Sequence, residues 1–182
     1  MEWGIAGIIP RICISPGEFF EEVNDRESGQ SASLFFFIVV LTAGKLPEKF
    51  VQPDAYSLKP GVTGIDVIEF GIILILLAPI LLHIVTGIEY VSLWLVTEED
   101  EGVDRTLRAV AYGSAPAVLS WIPYVGILAW YGVYLTYVGT RVGHGLERWK
   151  AVAVTIVPSV LVFGLAFSGF RNLRVILKLA GI

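Results

Sequence analysis

Between Leu107 and Thr140 the chain carries a single charge, Arg108. A surface helix in water needs a polar face, and a run of this length without one has to be surrounded by protein or lipid. Only Pro116 and Pro123 interrupt it, so the stretch reads as two membrane helices, Leu107 to Ile122 and Tyr124 to Val142, joined at a tight turn. Arg105 and Arg108 stand where the chain enters this hairpin and Arg141 and Arg148 where it leaves it. The first helix holds Ala109, Ala111, Gly113, Ser114, Ala115 and Ala117, small residues that let neighbouring backbones approach closely. The second places Gly132, Gly139 and Gly143 at spacings of seven and four, a small-residue packing seam.

The composition agrees with a bilayer. Hydrophobic residues make up 55% of the 182 positions, with 19 glycines besides, whereas a soluble chain reaches about 45–50% with glycine counted. The net charge is −4 and no basic stripe is present, which excludes a nucleic-acid-binding surface. Cys13 is the only cysteine, so no intrachain disulfide forms. The N-terminus lacks the basic region and small-residue cleavage site of a removable signal peptide. No segment outside the membrane is large enough for a catalytic domain.

Residues 1 to 30 read as a cytoplasmic or interfacial segment. Isoleucines and Trp3 suit an element lying along the membrane surface. Ser15-Pro16-Gly17-Glu18 then has the form of a capping box opening an amphipathic helix. Phe19, Phe20 and Val23 would turn to lipid or protein, and Glu21, Glu22 and Asp25 to water. The first apolar run, Ser31 to Gly44, has 14 residues, about 21 Å of helix against the ~30 Å hydrocarbon core. It spans only with Ser28 to Gln30 or the snorkelling stems of Lys45 and Lys49 added, or else crosses half the membrane. Residues 45 to 64, with three prolines, read as an extramembrane loop. Ile65 to Val96, 32 residues and about 48 Å, is too long for one upright span, so either Pro79 kinks it or its end runs along the surface from Glu89. The acidic loop Glu98-Glu99-Asp100-Glu101 precedes the hairpin, a last apolar span covers Ala151 to Phe170, and residues 171 to 182 form a basic interfacial tail. The expected fold is an all-α, polytopic transmembrane bundle of about five spans (31–170), with interfacial amphipathic helices at both termini and one domain over 1–182.

With five spans, the basic residues divide 7 on the N-terminal side and 6 on the other, too even for the positive-inside rule to orient the chain firmly. The N-terminus is assigned to the cytoplasm. The same topology puts the acidic N-terminal helix (Glu18, Glu21, Glu22), the acidic loop (Glu98, Glu99, Asp100) and the basic loop (Arg141, Arg148) on one face, the expected docking surface for a partner. Among ionisable groups inside the spans, Asp66 and Glu69 share a helix side, with His83 about 21 Å beyond Glu69, too far for one metal. Glu89 and Tyr90 lie within reach of Arg105 or Arg108 from the loop side. His144 is placed at the interface. No catalytic motif and no metal-ligand spacing is found, so neither enzyme activity, cofactor nor metal is expected.

The segments SPGEFFEEV, RTLRAVAYGSAP, IPYVGILAW and YVGTRVGHGLERWKA together resemble the Yip1 family of integral membrane proteins, particularly its compact prokaryotic members. The likeness runs from Pro16 to about Pro158. Its centre is the hairpin, where Arg108, Tyr112, Ala115-Pro116, Pro123, Gly126 and Gly139 match the family's arginine, aromatic, Ala-Pro pair and spaced glycines. The resemblance implies five spans and a cytoplasmic N-terminus. Eukaryotic members bind Rab-type small GTPases, but this sequence has neither their long hydrophilic N-terminal region nor their Asp-Leu-Tyr-Gly-Pro signature, and GTPase binding is not carried over.

The leading expectation is a non-enzymatic protein of the cell membrane that binds partners or organises and shapes the bilayer. Lipid, another membrane protein or a second copy of the chain are the partners in view. The alternative is a small carrier or channel for an ion or solute, working through Asp66, Glu69 and His83.

Overall fold

The computed structural model describes residues 5–25, 30–52, 57–97, 102–119, 122, 130–156 and 158–159, and these are mostly helical. The helices are α1 (Ile5–Ile14), α2 (Pro16–Asn24), α3 (Gln30–Phe50), α4 (Gly64–Thr97), α5 (Val103–Gly113) and α6 (Tyr131–Gly143). A further helix, α7, is described over residues 148–156. A 3-10 turn, Ala115–Leu119, follows α5. The second hairpin helix expected from Tyr124 is described from Tyr131 on, and most of the expected turn and most of residues 157–182, the basic tail included, lie outside the described residues.

Two of the described helices, α3 and α4, are long and apolar enough to cross a membrane. Helix α3 runs past the expected end at Gly44 and has 21 residues, about 32 Å, enough to cross the ~30 Å core. Pro47 lies in the last turn, and the carbonyls left open at the helix end find a cation: Lys59 Nζ donates to Lys49 O at 2.5 Å and to Glu48 O at 3.4 Å. Lys59 follows a two-residue hairpin, β1 (Val51–Gln52) paired antiparallel with β2 (Ser57–Leu58), inside the stretch expected to be loop alone.

Helix α4 is one helix of 34 residues through Pro79. Its buried residues form a narrow stripe, Leu74, Ala78, Leu82, Thr86, Glu89 and Leu93, at the three- and four-residue steps of one helix face. Around the rest of its circumference Ile72, Ile73, Leu76, Ile80 and Ile84 are exposed. So much exposed isoleucine and leucine suits contact with hydrocarbon and not with water.

Helix α2 turns its apolar side into the protein. Phe19 and Phe20 are fully buried, in one core with Ile12, Phe36, Val40, Tyr112, Ala115 and Leu135. Tyr112 meets Phe19 edge-on at 5.2 Å and Phe36 at 5.0 Å, and so ties α2, α3 and α5 together. The Ser15 capping box does not form: Ser15 makes no side-chain cap bond. Its backbone N–H donates to Arg11 O at 2.9 Å, because α1 runs into α2 with a one-residue break and the N–H that Glu18 would reach is already used.

Helices α5 and α6 pack backbone against backbone. A β-carbon on Gly132 would lie 2.8 Å from Gly113 O, and one on Gly139 2.8 Å from the Phe20 ring. The seam expected from glycine spacing therefore carries both the hairpin and the seat of α2.

Candidate functional site

Arginines and threonines hold the helix ends. Arg108, 7% exposed, donates from Nη1 to Val23 O at 3.1 Å and Asn24 O at 3.3 Å, the open carbonyls at the end of α2. Arg105 does the same for α6, donating to Gly143 O at 3.0 Å. Cations at helix C-termini satisfy orphan acceptors and complement the helix dipole. Thr106, between the two arginines, shares a 3.0 Å hydrogen bond with His144 Nε2, and both residues are buried. His144 thus lies inside the protein, not at the interface where the sequence placed it.

Gln30 at the start of α3 bonds Asp104 at the start of α5. These contacts gather the end of α2, the start of α3, the start of α5 and the end of α6 at one end of the bundle.

Glu89 finds neither Arg105 nor Arg108. Its Oε1 accepts from the hydroxyls of Thr140 on α6 at 2.7 Å and Thr155 on α7 at 3.1 Å, and the residue is 4% exposed. Thr86, one turn earlier on α4, is also buried, and its hydroxyl has no partner among the described residues. One carboxyl on α4 therefore ties in α6 and α7, whose threonines lie 51 and 66 residues away in sequence, and hydroxyls are the groups that solvate it.

Near this end a groove of about 750 Å³ lies between α2, the end of α6 and the turn into α7. Its walls include Glu21, Tyr137, Val138, Arg141, Leu146 and Arg148. Three of the eight expected docking residues, Glu21, Arg141 and Arg148, thus line one cavity. All three are exposed, and neither arginine has an ion-pair partner among the described residues. Of the others, Glu18 is exposed, while Glu22 pairs with Arg11 at 2.6 Å and holds α1 on α2. Glu98, Glu99 and Asp100 lie outside the described residues.

The intramembrane groups of the carrier alternative are not gathered on one track. Asp66 and Thr63 form a reciprocal cap at the start of α4: the Asp66 carboxylate accepts from Thr63 N–H at 2.8 Å and from the Thr63 hydroxyl at 2.6 Å. With Glu69, Asp66 lines a separate cleft of about 480 Å³ at the far end, beside Lys49, whose ammonium stands 3.7 Å over the Phe70 ring. His83 is exposed midway along α4, its Nδ1 2.6 Å from Pro79 O. No group of three or more His, Cys, Asp or Glu among the described residues is placed to hold a metal.

Of the residues that carry the family resemblance, Arg108 caps α2, Tyr112 centres the core, Pro116 is buried in the 3-10 turn and Gly139 seats Phe20. Pro123 and Gly126 lie outside the described residues. What the sequence reading missed is the threonine set, Thr86, Thr106, Thr140 and Thr155. Threonine in an apolar helix gives a weak signal, because its hydroxyl can bond its own helix and its partner is set by packing alone.

No curated protein and no solved structure matches the chain. The family model of the Yip1 domain matches residues 11–170, from α1 through α7. Over that span lie the capping arginine, the aromatic core and the glycine seam, and the chain belongs to the Yip1 family.

Proposed function

We propose that this protein is a non-enzymatic, five-span protein of the cell membrane, with its N-terminus in the cytoplasm, that works by docking a partner and so organising the bilayer around it. The docking face consists of α2, the acidic loop at 98–104 and the segment 141–150. The observation that carries this reading is the groove itself, where Glu21, Arg141 and Arg148 present charges to solvent and the arginines have no ion-pair partner among the described residues. Unpaired exposed charge on a packed scaffold adds nothing to stability and is available for recognition. The same face carries structural charges, Arg105 and Arg108, already committed to helix ends, so binding and folding draw on different arginines.

The test is a photo-crosslinking residue at Val142, inside the groove, in cells expressing either the otherwise native chain or the Arg141→Glu/Arg148→Glu variant. A discrete adduct that disappears in the variant, while its melting temperature is kept, supports docking at this face. An adduct unchanged by charge reversal, or none in either chain, contradicts it.

A further inference from the structure

Two rings of the groove also wall a second cavity. A cleft of about 420 Å³ is lined by Trp130, Val133, Tyr134, Tyr137, Val152 and Ile156, with Ser159 its one aliphatic hydroxyl. Tyr134 and Tyr137 are walls of both cavities, so the charged groove and the apolar cleft meet across these two rings. On α6 the residues Tyr134, Tyr137 and Arg141 follow one another at three- and four-residue steps from Trp130, one stripe of a helix. From Trp130 to Arg141 the stripe covers 12 residues, about 16 Å of helical rise, with an indole at one end and a guanidinium at the other.

An occupant that fits both cavities has a charged head and an apolar chain. The groove carries two guanidiniums, Arg141 and Arg148, and one carboxylate, Glu21. Guanidinium recognises phosphate through paired N–H donors, and a carboxylate in the same groove recognises an ammonium group. We infer that the groove and cleft together form a binding site for one aminophospholipid molecule. Its phosphate lies against Arg141 and Arg148, its ammonium against Glu21, and one acyl chain runs along Tyr134 and Tyr137 toward Trp130. This inference rests on the groove being the docking face and names what docks there. A headgroup with phosphate but no amine leaves Glu21 facing an anion, which sets the selectivity of the site.

The experiment is native mass spectrometry of the full chain in detergent, titrated with phosphatidylethanolamine or phosphatidylglycerol of identical acyl chains. The expected result is one phosphatidylethanolamine retained per chain, in preference to phosphatidylglycerol. Arg141→Gln/Arg148→Gln should lower occupancy by either lipid roughly tenfold. Glu21→Gln should abolish the preference while phosphatidylglycerol binding is kept. Val152→Trp, which fills the cleft and leaves every charge in place, should also displace the lipid. Circular dichroism and melting temperature identify variants that remain folded. Equal retention of the two lipids by the native chain, or retention unaffected by the arginine and tryptophan substitutions, overturns the inference. A protein adduct at Val142 in cells with no retained lipid overturns it while leaving the docking reading standing, and the absence of both removes the two together.

Discussion

Glu89 is the residue whose role is most clearly set by its surroundings. It sits on an apolar helix, 4% exposed, and the groups that solvate it are two threonine hydroxyls from other helices. A carboxamide can accept the same two bonds, whereas alanine leaves a cavity and two buried donors without partners. Glu89→Gln should change stability by less than about 1 kcal/mol, and Glu89→Ala should cost on the order of 2–4 kcal/mol, read by thermal or denaturant unfolding in detergent. Arg108→Ala should cost about 1.5–3 kcal/mol in the same assay, because the Val23 and Asn24 carbonyls lose a charged donor. Cys13 adds a chemical probe at this scale: burial raises its thiol above the usual range, so less thiolate is present at neutral pH. Alkylation of Cys13 by a maleimide should be slow in the folded chain and accelerate on unfolding. Equal rates in the two states would contradict its half-buried placement against the core. Of these roles, only the place of Glu89 on an apolar helix could be read from sequence. Its partners come from 51 and 66 residues away, and only packing brings them in.

At the scale of the elements, the helices that read best were those whose signal is carried along their own length. Helix α4 announced itself through an uninterrupted apolar run, and the α5–α6 contact through small residues at helical spacing. Glycine at the seam is a matter of space and not of conformation. A β-carbon on Gly113 would stand 2.1 Å from Thr136 Oγ1 and 2.9 Å from Thr136 N, and the second collision is with backbone. At Gly139 the nearest atoms belong to the Phe20 ring and to Ala109 Cβ, with more freedom to shift. Gly113→Ala should therefore be the more damaging substitution, with Gly139→Ala costing about 1–3 kcal/mol, measured as the loss of melting temperature in parallel. Equal tolerance of both would contradict the close approach of the two helices. The elements that sequence reading misjudged were those whose ends depend on a neighbour. Helix α3 runs on to Phe50 because Lys59 returns to its terminal carbonyls, and the Ser15 cap fails because α1 has already taken the backbone donor.

At the scale of the molecule, polar contacts are segregated by end. One end holds Arg105, Arg108, Asp104 and Gln30 in helix-terminal bonds with the groove nearby, and the other holds Lys45, Lys49 and Lys59 around the β-hairpin and the start of α4. Sequence alone suggested the grouping of Glu21 with Arg141 and Arg148 through the parity of the spans. It could not show a groove, whose walls come from chain segments that adjoin only once α2 is seated on α6. The carrier alternative needs a polar path between the ends. The described residues instead place Asp66 in a helix cap and Glu89 among threonines, with His83 exposed on α4 between them. The proposed docking face requires that Glu21 and Arg148 share one water-accessible side, opposite the lysine end. It is tested most directly by labelling with a membrane-impermeant maleimide in intact and permeabilised cells, using Glu21→Cys, Arg148→Cys and Lys45→Cys, each in a Cys13→Ser background. The cysteines at 21 and 148 should label from the same side and the cysteine at 45 from the other. Labelling of 21 and 148 from opposite sides would contradict it.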